Sequence, residues 1–197
     1  SYIAPALSGV ALAGVNMDAS TTLRSRGGQI ITLSGTNFGP VGSTNVAAAT
    51  YNSGSTTNNA ASCVVASDTS VTCNSVAGVG KDYKWTLVIG GQPSSESSFT
   101  CAYTIPAITG LSGLDSGMTT AGGETITLSG TNFGPTTTMV DSAKYTLSTG
   151  TVLGSVSEFE ATGCTVTAMD TSGAVETGKI VCTTAPGIGK DFTWKVS

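Results

Sequence analysis

Histidine is absent from this 197-residue chain, and charged side chains make up only 10% of it, against about 25% in an ordinary soluble domain. Without histidine there is no Ser-His-Asp or Cys-His catalysis, no HExxH zinc centre and no imidazole general base. Eight basic residues against 12 acidic ones give a net charge of −4 and a pI near 4.5. That balance argues against neutralising a nucleic-acid backbone. No apolar run approaches the ~18 residues of a membrane-spanning helix, so no membrane insertion by this segment is expected. Ser1 is not followed by a charged and then apolar leader, so any signal peptide is expected to have been removed. None of the eight asparagines has Ser or Thr two positions on, so N-glycosylation is not expected. Aromatics are scarce, at 6%.

What the chain does have is glycine and hydroxyl groups: Ser, Thr and Gly supply 84 residues, 43% of the total. Apolar content of 39% and a mean hydropathy of +0.20 provide more core than a disordered segment carries. Short apolar stretches set among Gly, Ser and Thr read as many short strands and tight turns, an all-β chain. A surface of hydroxyls could carry O-linked sugar; Thr136, Thr137 and Thr138, and the polar stretch 52–59, read as exposed loops suited to it.

The sequence repeats itself. GGQIITLSGTNFGP from Gly27 returns as GGETITLSGTNFGP from Gly122, identical at 12 of 14 positions. GVGKDYKW from Gly78 returns as GIGKDFTW from Gly187, and YIAPALSGV from Tyr2 as YTIPAITGL from Tyr103. The offsets of 95, 109 and 101 give a period near 100 residues, the size of a β-sandwich. Stretches 29–33, 124–128 and 85–89 read as strands. Residues 98–103 alternate, with Phe99, Cys101 and Tyr103 on one face, and read as the last strand of the first repeat.

The string Pro-x-Ile-x-x-Leu from Pro106, the Gly-Gly-x-x-Ile-x-Leu-x-Gly-x-Asn-Phe block, the later Cys-x-Val and second Cys, and the Phe-x-x-Ala-Tyr ending at Tyr103 together resemble the IPT/TIG family of immunoglobulin-like domains. The resemblance runs over nearly the whole chain, twice. It implies two tandem immunoglobulin-like β-sandwiches: residues 1–102, opened by a strand-tail segment 1–6, and residues 103–197. In plexins, the hepatocyte growth factor receptor and some bacterial starch-acting enzymes, such domains serve mostly as spacers, adhesive modules or partner-binding modules. A few intracellular members, the Rel-type transcription factors, bind DNA, and the charge balance here argues against that branch.

Cys63 and Cys164 hold equivalent repeat positions, as do Cys73 and Cys182. The simplest pairing is Cys63 with Cys73 and Cys164 with Cys182, each closing a short loop between neighbouring strands in an oxidising compartment. Buried free thiols are the alternative. Cys101 is the odd one, either a buried thiol or an intermolecular bridge.

The ends of the chain and of the repeats are out of step. Eighteen positions separate Trp85 from Tyr103, but only three residues follow Trp194. The second sandwich is therefore expected to lack its last strand, while Tyr2 to Pro5 matches the tail of one. An open sandwich offers an edge for association. Three explanations stand together: a window on a longer tandem array, head-to-tail polymerisation, or an arbitrary cut. In the second, Ser1, Tyr2, Ile3, Ala4, Pro5, Ala6 and Leu7 would fill a neighbour's groove by strand addition, giving a filament.

Other chemistry reads more simply as structure. The Gly-x-Gly-Lys-Asp runs at 78–82 and 187–191 lack phosphate-loop spacing and read as turns. Trp85 and Trp194 read as core rather than sugar platforms. Asp68, Asp115, Asp141 and Asp170 read as turn formers rather than calcium ligands. Glu158 and Glu160 would share one side of a strand, but a glycosidase pair would need a cleft and two distinct environments. The chain is thus expected to be a non-enzymatic, cofactor-free extracellular building block of a filament or surface array, partnered with copies of itself. A surface-protein or glycan ligand is allowed for. The alternatives are a receptor or adhesion ectodomain binding a protein ligand, and an accessory carbohydrate-binding module of a secreted hydrolase.

Overall fold

The computed structural model describes residues 2–12, 15–16, 22–41, 46–54, 56–114, 117–136, 138–147, 158–173 and 175–197, so Ser1, Asp115 and Thr137 lie outside the described residues. Two units form, Ser1–Thr104 and Ile105–Ser197. The boundary falls beyond the expected Ala102 because Tyr103 is buried in the first unit and the Thr104 N–H donates to the Leu23 carbonyl there.

The first unit contains β1 (Ala6–Leu12), β2 (Val15–Asn16), β3 (Thr22–Leu23), β4 (Ile30–Thr36), β5 (Val46–Ser53), β6 (Thr56–Asn59), β7 (Ala61–Ser67), β8 (Ser70–Asn74), β9 (Lys84–Ile89), β10 (Gln92–Pro93) and β11 (Ala102–Tyr103). One antiparallel sheet has the order β2-β1-β4-β8-β7 and the other β10-β9-β5-β6, while β11 runs parallel to β3. The second unit contains β12 (Ala107–Ser112), β13 (Thr125–Thr131), β14 (Ala143–Leu147), β15 (Glu158–Glu160), β16 (Thr162–Asp170), β17 (Thr177–Thr183) and β18 (Phe192–Val196). Its sheets run β12-β13-β17-β16 and β15-β14-β18. The chain is all-β, as its composition and repeat predict, and immunoglobulin-like, as the family resemblance implies. No helix among the described residues is long and apolar enough to cross a membrane.

Period-two patterning builds each core. Ile31 and Leu33 of β4 point inward, as do Trp85 and Leu87 of β9; all four are buried. Ile126 and Leu128 do the same in β13. Because side chains alternate, the intervening Thr and Ser residues face out, which is how a hydroxyl-rich chain still builds a core.

The most repeated stretch is repeated for a steric reason. A Cβ on Gly35 would lie 2.0 Å from the Ala6 carbonyl oxygen and 2.5 Å from the Phe38 ring; on Gly130 it would lie 2.1 Å from the Ala107 oxygen and 2.3 Å from the Phe133 ring. Only glycine lets the first strand of each unit and that phenylalanine close on the same spot. Asn37 and Asn132, at φ 63° and 58°, then turn the chain through the left-handed region that asparagine tolerates.

Cys63 of β7 pairs with Cys73 of β8, and Cys164 of β16 with Cys182 of β17, with Cα separations of 4.1 and 4.2 Å. These are the pairings expected from the repeat. Each bond sits where the strand register slips past a left-handed residue, Ser62 or Gly163. Loops this short contribute about 3 kcal/mol each by the chain-entropy argument, and their presence points to an oxidising environment.

Two expectations need correcting. The described residues of 52–59 are not mainly a loop: 52–53 end β5 and Thr56–Asn59 form β6, with Tyr51 opposite Asn58. Residues 98–103 alternate in burial as expected, yet only Ala102–Tyr103 forms a strand, and Cys101 adds a single bridge to Tyr83. The physical reason is that serine side chains replace much of the missing ladder.

Gly130→Ala is expected to destabilise the second unit by about 2–3 kcal/mol through backbone overpacking. Gly110→Ala, whose Cβ would meet nothing nearer than 3.8 Å, should stay within about 0.5 kcal/mol of the parent. Urea titrations of both variants check this.

Candidate assembly surface

The outer edge of β9 is closed by the segment that follows it. Ser94 N–H donates to Leu87 O (2.7 Å), and Leu87 N–H to Ser94 Oγ (3.0 Å). Ser97 N–H donates to Trp85 O and Trp85 N–H to Ser97 Oγ, both 2.9 Å. Tyr83 and Cys101 exchange two main-chain bonds of 2.9 Å. Serine hydroxyls thus accept bonds a neighbouring strand's carbonyls would accept. That lets an irregular segment containing Pro93 cover a straight edge, and each bond contributes about 1 kcal/mol net. Beneath it Tyr83, Trp85 and Leu87 are 2%, 0% and 0% exposed.

Tyr103 completes the closure. Its N–H donates to Gly80 O (2.9 Å), its hydroxyl donates to Val76 O (2.8 Å) and lies 2.7 Å from the Tyr51 hydroxyl, which accepts from Val76 N–H (3.1 Å). Its ring meets Tyr83 edge-on, with centroids 5.7 Å apart and planes at 86°. Burial, then the Tyr51 hydrogen bond, push the Tyr103 phenol far above its ordinary range. Gly78 has no side chain because a Cβ there would lie 2.7 Å from the Tyr103 hydroxyl oxygen.

In the second unit the corresponding strand is β18, and among the described residues no strand pairs with its outer edge. Phe192, Trp194 and Val196, equivalent to Tyr83, Trp85 and Leu87, point inward but are only half-buried. Trp194 was expected in the core; it stacks on Tyr145 at 4.4 Å but is not fully covered.

Beside β18 lies a cavity of about 120 Å³ lined by Met118, Thr119, Thr120, Tyr145, Ala185, Gly187, Ile188, Gly189 and Phe192. By the internal repeat, Met118, Tyr145, Ala185, Gly187, Gly189 and Phe192 are the counterparts of Leu23, Tyr51, Val76, Gly78, Gly80 and Tyr83. Every one of those touches or bonds the Tyr103–Thr104 segment in the first unit. The ring place itself is filled from elsewhere. Phe159 of β15 meets Phe192 edge-on at 5.8 Å and 86°, and stacks on Tyr145 at 5.4 Å. A Cβ on Gly187 would lie 2.6 Å from the Phe159 ring. Phe159 stands opposite Tyr145 in register, where the first unit has Asn58 opposite Tyr51.

Of the predicted assembly segment, Tyr2 and Ile3 are 91% and 79% exposed, and Ala4 is also exposed, accepting a hydrogen bond from Asn37 (3.2 Å). Pro5 is buried, and Ala6 and Leu7 are in β1, paired with Thr36 and Gly35. Of this segment, residues 2–4 are the exposed part that lies outside β1.

The remaining candidates fall outside this surface. Cys101 is a buried free thiol. Burial lifts its pKa to about 11, against the Trp85 indole N–H, which favours the thiolate. Asp68 accepts from Gly39 N–H (3.0 Å) and Asp170 from Ser172 N–H (2.9 Å), both turn functions; Asp141 is exposed. Glu158 pairs with Lys144 at 2.7 Å, and both Glu158 and Glu160 are exposed beside Phe159. Asp82 and Asp191 turn the Gly-Lys-Asp runs at φ 62° and 58°. Thr136 is exposed, whereas Thr138 is half-buried and donates to Pro135 O (2.6 Å).

Sequence reasoning missed Glu124 and Phe159. Glu124 fastens the turn that carries Met118 to Thr120: its carboxylate accepts from Thr119 N–H (2.7 Å) and from the Thr184 hydroxyl. Those bonds draw its pKa down to about 2, with the Thr119 contact the larger cause. The first unit makes the same brace with neutral Gln29, which accepts from Arg24 N–H. The Gln-to-Glu difference within an otherwise near-identical block was the available signal.

Residues 17–105 match the family model described as the IPT/TIG domain. The match spans β3 to β11 and so includes the closing segment. Comparison with curated proteins finds no match.

Cys101 should resist thiol reagents at pH 8 in the folded chain and react stoichiometrically in denaturant; prompt reaction when folded would contradict its burial. Because the folded pKa of Glu124 is depressed, its contribution is complete above about pH 4.5 and lost as pH falls through about 2. Glu124→Gln should remove that part of the acid dependence of the second unit's thermal midpoint.

Proposed function

We propose that the chain is a non-enzymatic, extracellular building block of a surface filament or array, its first unit an IPT/TIG domain, as the match of residues 17–105 to that family model supports, and its second unit a further domain of the same kind. The observation that supports this most is that one frame recurs in both units, with glycine against the first strand, a left-handed asparagine and a cross-strand disulfide at matching positions; among the described residues the outer edge of β18 has no strand paired with it. An edge strand with apolar side chains beneath it is a template for strand addition. End-to-end addition is a heterologous contact, and unless its rotation closes it propagates as a filament. The two disulfides suit an oxidising exterior, and Thr136 offers an exposed hydroxyl for O-linked sugar.

The outward donors of β18 alternate with those given to β14. Trp85 N–H bonds outward to Ser97, and its counterpart Trp194 likewise faces Tyr145 across the ladder. Val196 therefore has its N–H on the free edge. Val196→Pro should leave the β14 ladder intact while reducing concentration-dependent self-association, measured by sedimentation, at least fivefold. Unchanged association would remove the β18 edge from the contact.

A further inference from the structure

We propose that residues 101–104 are a load-bearing clamp, through which a pull from the second unit enters the first and is resisted by bonds sheared together rather than peeled one at a time. This rests on the array reading above, because units joined end to end carry tension, and it adds the residues that bear it.

The junction is short. Thr104 is bonded into the first unit, only Ile105 and Pro106 separate it from β12, and the Ile105 carbonyl accepts from Asn132 Nδ2 of the second unit at 3.4 Å. The proline ring fixes one of the few torsions that could lengthen this link. Tension on the second unit therefore reaches Thr104 directly. There β11 pairs in parallel with β3, Ala102 opposite Thr22 and Tyr103 opposite Leu23. Leu23 O accepts from the Thr104 N–H at 2.8 Å and from the Thr104 hydroxyl at 3.1 Å, and that hydroxyl lies 2.9 Å from the Thr22 hydroxyl. Tyr103 N–H holds Gly80 O at 2.9 Å, and Cys101 exchanges two bonds with Tyr83. Leu23, Cys101 and Tyr103 are buried, so water has poor access to the bonds they carry.

The parallel sense decides how these bonds fail. The chain enters β3 at Thr22 from the N-terminal side of the unit and leaves β11 at Tyr103 towards the second unit. In a parallel pair those two points lie at opposite ends of the ladder. Tension across the unit thus slides β11 lengthwise past β3 and loads the bonds together, whereas an antiparallel hairpin pulled at its open end gives up one bond at a time. The Tyr103 side chain adds a detent. It stands across the strand, edge-on to Tyr83, with its hydroxyl bonded to Val76 O at 2.8 Å and lying 2.7 Å from the Tyr51 hydroxyl. At Gly78 the ring leaves no space even for a Cβ, so it cannot travel along the strand axis without opening the cage around it.

The test stretches the full chain, disulfides intact, between handles on its two ends and records unfolding at constant load. The first unit is the longer and its disulfide withholds the shorter loop, sequence separations being 10 and 18, so the two units release different lengths of chain and are told apart. Thr104→Val keeps the shape and the N–H bond but removes the hydroxyl from Leu23 O and Thr22. Tyr103→Phe keeps the ring and removes its hydroxyl. The control is Val65→Ala, at a buried position on β7, which pairs with β8 and not with β3, β9 or β11. A contact broken at the barrier changes the unfolding rate by its whole worth, and one that persists there hardly changes it. Thr104→Val and Tyr103→Phe should each speed unfolding of the first unit at a fixed load about fivefold or more. Val65→Ala should speed it less than about twofold, although urea titration shows a larger loss of stability. If neither clamp variant unfolds faster than the parent, the clamp is overturned. It is overturned too if Val65→Ala speeds unfolding as much as they do, because resistance then follows overall stability. Both results leave the array reading standing; that reading fails on a separate measurement, a parent that stays monomeric at every concentration in sedimentation.

Discussion

A β-strand that carries a tryptophan on its inner side and a row of N–H and C=O groups on its outer edge has to be covered twice, once over the ring and once along the main chain. In the first unit one segment does both: Ser94, Ser97 and Cys101 bond along β9, and Tyr103 closes the aromatic cluster. Much else follows from this closure. Cys101 is buried because the segment carrying it is pressed onto Tyr83, and its thiol is raised for that reason. Gly78 lacks a side chain because Tyr103 passes over it, and Gly80, at φ 102°, faces the Tyr83 ring. The unit boundary falls after Thr104 because the closing strand belongs to the domain it closes.

The second unit keeps the frame and changes the closure. Its Gly-Gly turn, glycine cradle, left-handed asparagine and cross-strand disulfide repeat those of the first at matching positions. Its aromatic cluster, though, includes Phe159 from an adjacent hairpin strand, at the place where the first unit has Tyr103. Covering the ring and covering the edge have thus been separated. The first can be met from within the unit, because any ring of the right size that reaches Tyr145 and Phe192 will do. The second needs a backbone or its substitute laid along β18.

Much of this was legible without coordinates. The period near 100 residues, the alternating strands and the cysteine equivalence each reflect a local rule or a symmetry of the chain with itself. They led to an all-β chain of two units and to the two disulfide pairs. The closing segment was less legible, because 98–103 alternates like a strand while its bonding is done by serine hydroxyls at 94 and 97, and alternation records burial, not pairing. Phe159 was not legible at all: its near neighbours in sequence are Glu158 and Glu160, and nothing local says which cavity its ring enters.

Sequence alone determined the repeated frame, since glycine where a Cβ cannot fit, asparagine where φ is positive and cysteine opposite cysteine are requirements met residue by residue. Tertiary structure decided that Tyr2–Ala4 is exposed while Ala6 and Leu7 are held in β1. It decided that Trp85 is sealed while Trp194 is half-covered, and that one aromatic place is filled by Tyr103 in one unit and by Phe159 in the other. These outcomes depend on which distant segments compete for the same volume, and close packing admits only one ring to each place.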